Sequence, residues 1–209
     1  MSDRKKIAII GSGGFGREVF HLLRQERYEC VGYVGYADDK HDLPVPIIGH
    51  ESEMGHMMTE YNFSHCVLAI GNMHKRKEIF NKIERLSLSF PKVLSSSVTS
   101  FSDNIDHGSI LYPGVVVMND CRIGKFTLLN SGVTLGHDVV IGDYCNINPG
   151  AHLAGRIEVG DGTLIGIGTC IKENIKIGKN VIVGAGSVVL NHIPDNTTVY
   201  GVPARPSSK

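Results

Sequence analysis

The 209-residue sequence contains no tryptophan and only five cysteines, none of them in a CxxC pair. Cys30, Cys66, Cys121, Cys145 and Cys170 form no paired framework, so neither a disulfide scaffold nor a structural zinc site is expected, and the thiols read as reduced. Net charge is lacking as well, with 21 Lys and Arg against 21 Asp and Glu. No long-range field then draws in nucleic acid or an anionic membrane surface. A long apolar run is also missing. The charged opening Met1 to Lys6 leads into a short apolar stretch that ends in glycines. That pattern fits neither a signal peptide nor a membrane span, and a cytoplasmic protein is expected.

Glycine is abundant, and its placement follows a rule. Stepping by six from Ile105 to Val189 meets fifteen aliphatic residues without a break. Four residues after each comes a second series, from Ser109 to Ile193, that is uniformly small or β-branched. Directly after the aliphatic position, glycine recurs at Gly124, Gly136, Gly142, Gly160, Gly166, Gly178 and Gly184, where a flat strand is expected to turn a corner. A period of six fits no helix. It describes short parallel strands stacked coil upon coil around two inward columns.

The first half has a different pattern. Lys6 to Ile10 reads as a strand, Arg17 to Gln25 as a helix and Cys30 to Val34 as a second strand, a βαβ unit. Val67 to Ile70 reads as a third strand and His74 to Arg85 as a helix. The expected division is residues 1–95 as an α/β half-Rossmann domain, 96–193 as the repeat, and 194–209 as a cap. Gly11, Gly13 and Gly16 spell GxGxxG between strand and helix, with Asp38 and Asp39 past the second strand, a placement suited to a nucleotide. Fewer than 100 residues precede the repeat, too few for both mononucleotide halves of a dinucleotide fold.

The repeat resembles the left-handed parallel β-helix of hexapeptide acyltransferases, where three hexapeptides make one triangular coil. On that resemblance, residues eighteen apart share a corner about 4.8 Å apart on successive coils. His137, Gly155 and Glu173 then form one column, and Pro149, Ile167 and Ala185 another. A histidine followed by Asp138, one coil from a bare glycine backbone, suits a general base beside an oxyanion donor. A solenoid face can also carry such a histidine for solubility or subunit contacts.

LGHDVVIGDYCNINPGAHLAG (135–155), IGSGGFGREV, YADD, AIGNMHKRKEIF and YGVPAR together resemble the bacterial sugar acetyltransferases that include sialic acid O-acetyltransferases and UDP-amino-sugar N-acetyltransferases. The resemblance spans the chain. It implies acetyl-CoA as co-substrate, no metal, a nucleotide-linked amino sugar as acceptor, and a homotrimer with active sites between subunits. His137 matches the catalytic base and Asp138 its acidic neighbour. Gly155, Ile167 and Ala185 match acetyl-CoA contacts, to which Asn146 is added. Gly13, Gly14, Phe15, Asp38, Asp39 and Gly71 match substrate contacts. Asn146 is a departure, because many relatives have a second histidine there, and an amide takes no proton. O-acetylation of sialic acid or a related sugar stays open, as does a non-catalytic nucleotide-binding scaffold.

Overall fold

A computed structural model of the chain describes residues 4–25, 28–35 and 42–207. Two compact units divide it, Met1–Val93 and Leu94–Lys209.

In the first unit, β1 (Lys5–Ile10) leads through the glycine turn into α1 (Gly14–Leu23), followed by β2 (Tyr28–Val34) and β3 (Ile47–Gly49). Then come α2 (Met54–Glu60), β4 (His65–Leu68) and α3 (Met73–Ile83). All the pairings are parallel, in the order β3-β2-β1-β4. α1 buries Gly16, Val19, Leu22 and Leu23, an apolar stripe of helical spacing. It starts inside the glycines rather than at Arg17, because Gly13 takes the extended N-cap conformation and its carbonyl accepts from the Arg17 N–H at 3.1 Å. β4 pairs from His65 to Leu68, slightly earlier than the sequence suggests, because its partner β1 ends at Ile10. β3 and α2 are additions to the expected elements.

The second unit is a left-handed parallel β-helix of two-residue strands stacked in sheets of eight, six and four. Between Ile110 and Val189 the strands pair in register with those eighteen residues on, as Leu135 does with Leu153 and Ile141 with Val159. The aliphatic column is buried throughout, no member exceeding 8% exposure, and the second column is equally closed, Ile193 being its most exposed member at 7%. Polar members of the second column satisfy themselves inside. Ser109, Thr127 and Thr163 donate at 2.8 Å to the carbonyls of Gly124, Gly142 and Gly178, each fifteen residues ahead. Cys121 and Cys145 play the same part with Gly136 and Gly160. The internal bond offsets the desolvation of each buried hydroxyl, and each bond stitches two coils.

The recurrent glycines after the aliphatic positions serve close approach, not a turn of the backbone. A Cβ on Gly136 would stand 2.7 Å from the Ala154 carbonyl carbon, and one on Gly160 would stand 2.7 Å from that of Gly178. The left-handed backbone sits two residues later, at every sixth residue from Gly108 to Gly186. Where glycine does not fill it, Asp120, Asp138, Asn174 and Asn180 do, as Asx side chains tolerate that region, and so do Phe126, Tyr144 and Arg156. Beyond the last repeat, Thr198–Tyr200 adds a parallel strand to Ile182–Val183, and Arg205–Pro206 returns antiparallel to it.

Candidate active site

His137 occupies the corner between the strands Thr134–Leu135 and Val140–Ile141. Its carbonyl accepts from the Arg156 N–H at 2.8 Å, and the next residue's N–H, that of Asp138, donates to the Asn119 carbonyl at 3.1 Å, so the corner is held from both neighbouring coils. Asp138 has φ 59°, which folds its carboxylate back onto the preceding side chain. The result is a 2.6 Å contact between His137 Nδ1 and Asp138 Oδ2. An ionised carboxylate only accepts, so Nδ1 carries the proton and, in the neutral ring, Nε2 presents a lone pair. Both side chains are half exposed, at 47% and 52%.

The imidazole lies over Gly155, where a Cβ would come within 2.7 Å of Nε2. Among the described residues the Gly155 N–H has no acceptor. One of the other corners is closed where this one is open. At the corner carrying Lys125, Asp143, Asp161 and Lys179, the equivalent N–H groups of Lys125 and Asp143 donate to aspartates of the following coil at 3.0 Å, and that of Lys179 donates to Asp195 at 2.8 Å. A base with an open nitrogen and an uncapped N–H thus share one corner.

Ile167 and Ala185 stand at a different corner, one face away, where Ile167 is 58% exposed and Ala185 is open. Asn146 is 6% exposed within the strand that pairs with Leu128 and Leu164. One chain therefore does not bring Asn146, Ile167 or Ala185 to the His137 corner. The cysteines offer no rival nucleophile there, since burial raises the Cys121 thiol and its Sγ is engaged by the Gly136 carbonyl at 3.0 Å. Cys170 is exposed, and His152 is its strand partner. The His152 ring, however, bonds Thr134 through Nδ1 at 2.8 Å.

In the first unit, β1 lies between β2 and β4, so the helices that follow β1 and β4 begin beside each other's strand ends, the usual crevice of such sheets. Packing demands two of the glycines. A Cβ on Gly11 would strike the Ala69 carbonyl, and one on Gly16 the Gly11 carbonyl. Around Gly13 and Gly71 there is open space, and Gly14 meets only an Arg17 guanidinium nitrogen at 3.8 Å. Phe15 is half-buried beside them. Sequence reasoning missed Arg76, which is 2% exposed and pins the Gly71 turn by donating to the Ile70 carbonyl at 2.7 Å. Asn72 caps α3 by accepting from the Lys75 N–H at 3.0 Å. Asp38 and Asp39 lie outside the described residues.

Two family matches cover these two units. The PglD N-terminal domain matches residues 6–83, and the six-repeat bacterial transferase hexapeptide matches 120–155 and 156–191. The chain belongs to the PglD-like hexapeptide-repeat transferases. A comparison with the curated proteins finds no match. Solved structures of similar PglD-like proteins align along nearly the whole length. A variant of perosamine N-acetyltransferase from Caulobacter crescentus, in complex with CoA and GDP-perosamine, is 28% identical, with 98% of this chain and 97% of that one covered and a TM-score of 0.87. The acetyltransferase domain of PglB from Neisseria gonorrhoeae, in complex with acetyl coenzyme A, is 28% identical over 98% of this chain and 100% of that one, with a TM-score of 0.82. WeeI from Acinetobacter baumannii is 29% identical over 97% and 100%, with a TM-score of 0.86. Among the described residues of this PglD-like chain, no His, Cys, Asp and Glu group could hold a metal ion, and no helix is long and apolar enough to cross a membrane.

Proposed function

We propose that this chain transfers an acetyl group from acetyl-CoA to the amino group of a nucleotide-linked sugar. The observation that carries the reading is the shared corner, with His137 bonded to Asp138 through Nδ1, Nε2 left open, and the unengaged Gly155 N–H beneath the ring. His137 Nε2 takes the proton from the amine as its nitrogen forms a bond to the thioester carbonyl carbon. The Gly155 N–H donates to the carbonyl oxygen as that oxygen gains charge. The C–S bond then breaks, and the proton held by His137 leaves with the thiolate. Asp138 steadies the imidazolium in between.

The neighbours bound to CoA, acetyl coenzyme A and GDP-perosamine support both substrate classes. Gly13, Gly14, Phe15 and Gly71 are our candidates for nucleotide contact, because the fold leaves space around the three glycines, with Asp38 and Asp39 assigned to base or ribose. Ile167 and Ala185 are assigned to acetyl-CoA. Because their corner stands one face away from His137, a homotrimer that sets one chain's Ile167 corner against another's His137 corner completes the site. Asn146, buried in its strand, is left a supporting part only. We place the reaction in the cytoplasm, the compartment of acetyl-CoA supply.

Mass spectrometry of products from acetyl-CoA and a panel of GDP-, UDP-, dTDP- and CMP-linked amino sugars tests this. One substrate should gain an N-acetyl group, and His137→Ala should lower that turnover by about two to four orders of magnitude. Acetylation of a hydroxyl instead, or a fully active His137→Ala protein, would refute it.

A further inference from the structure

Asp138, Arg156 and Asn174 hold the same corner position on three successive coils, all left-handed, with φ of 59°, 58° and 61°. Their Cα atoms therefore follow one another at about the 4.8 Å strand spacing. An arginine one coil from an exposed carboxylate is within easy reach of an ion pair. Two unit charges 4 Å apart attract by about 1 kcal/mol even in bulk water, and more beside a protein surface. The guanidinium instead turns the other way. Arg156 Nε donates to Asn174 Oδ1 at 2.7 Å, and among the described residues no ion pair joins Arg156 to Asp138. The Asp138 carboxylate is left to His137 alone.

We propose that Asn174 is a positioning residue whose amide oxygen holds the Arg156 guanidinium off Asp138, so that the carboxylate serves His137 undivided. The inference rests on the general-base reading of His137. Were Arg156 to swing down, it would compete for the oxygen that now accepts from Nδ1, and the imidazolium would lose part of its stabilisation. The other charged groups facing this corner leave that balance in place. Asp120, one coil before Asp138, accepts from Asn119 Nδ2 at 3.1 Å, and Glu158 on the adjoining face is paired with Lys176 at 2.9 Å. Glu173, exposed one coil past Gly155, carries the same sign as Asp138 and cannot replace Arg156 as its competitor.

Asn174→Gly is the appropriate variant, since glycine keeps the left-handed backbone without strain. The probe is diethyl pyrocarbonate, which acylates an unprotonated imidazole, applied to the full chain and followed on the His137 peptide by mass spectrometry across pH 5 to about 9. In Asn174→Gly the pH profile of labelling should move to lower pH by about half a unit to one unit, the direction expected when a cation reaches the partner carboxylate. Arg156→Ala placed on top should restore the original profile, and Asn174→Asp should keep it. A merely structural role for Asn174 predicts no restoration by Arg156→Ala. An unmoved profile in Asn174→Gly, or a displaced one that Arg156→Ala fails to restore, overturns the proposal. Turnover of His137→Ala separates the two readings. A fully active His137→Ala protein removes the base reading, whereas an impaired one with an unmoved labelling profile in Asn174→Gly removes only the role given to Asn174.

Discussion

Gly155 lies beneath the imidazole of His137, and a Cβ added there would stand 2.7 Å from Nε2 and 2.8 Å from Cε1. The glycine backbone is not left-handed, so alanine suits its dihedral angles and only the ring objects. Gly155→Ala should therefore displace the base while leaving the coil intact. Turnover should fall by about a hundred-fold, the cost of misplacing a catalytic group by about 1 Å. The melting temperature should move by no more than about 2 °C. Steady-state kinetics beside a thermal melt checks this, and undiminished turnover would mean that the ring position is immaterial.

Asp138 combines an orienting carboxylate with a left-handed backbone. Asp138→Asn keeps the backbone preference but offers Nδ1 a neutral partner in place of an anion. A fall in turnover of about ten-fold to a thousand-fold is expected with an unchanged circular dichroism spectrum. Asp138→Ala should lose stability in addition, because alanine dislikes that conformation. Equal melting temperatures for the two variants would contradict the backbone part of this account.

Thr127 is buried, donates to the Gly142 carbonyl at 2.8 Å and accepts from the Cys145 N–H at 3.0 Å. Thr127→Val keeps the shape and strands both partners, for a loss of about 1–3 kcal/mol. Thr134→Val removes only an exposed bond to His152 and should cost less than about 0.5 kcal/mol. Urea unfolding of both variants against the parent gives the comparison. Similar losses would show that the buried hydroxyl ladder adds nothing.

The thiols should separate by burial. At pH 8, iodoacetamide should label Cys170, which is exposed, and spare Cys66, whose thiol burial pushes up to about 12. Cys30 is pushed to about 11 and Tyr33 to about 12, both chiefly by burial. Groups raised in this way hold their protons longer folded than unfolded. Stability is then full below the unfolded values near 9 for the thiols and declines as pH rises toward the folded values. Unfolding midpoints measured from pH 8 to about 11 should fall steadily, and Cys66→Ala should flatten part of that fall.

The β-helix is legible in the sequence because burial repeats with the chain. Every sixth residue returns to an inward position, so Ile105 to Val189 and Ser109 to Ile193 show the two columns directly. The left-handed position was equally visible as Gly, Asn or Asp at Gly114, Asp120, Gly132, Asp138, Gly150 and Asn174, but Phe126, Tyr144 and Arg156 interrupt it. The glycines at Gly136 and Gly160 were visible for another reason than the one they suggest, since they answer to the backbone of the next coil. β3 and α2 are hard to read because a three-residue strand and a seven-residue helix carry too little periodicity to stand out.

Local pattern thus dictated the repeat, its buried columns, the glycine turn after β1 and the choice of His137 with its acidic neighbour. Those properties depend on spacing along the chain, which a periodic fold copies into space. Stacking settled the rest. It set the His137 ring close over Gly155, left that N–H open where the Asp143 corner is capped, and turned Arg156 toward Asn174. Each of these is a meeting of groups from different coils or different faces, and side-chain direction and hydrogen-bond choice there follow from three-dimensional neighbours that no window of sequence contains.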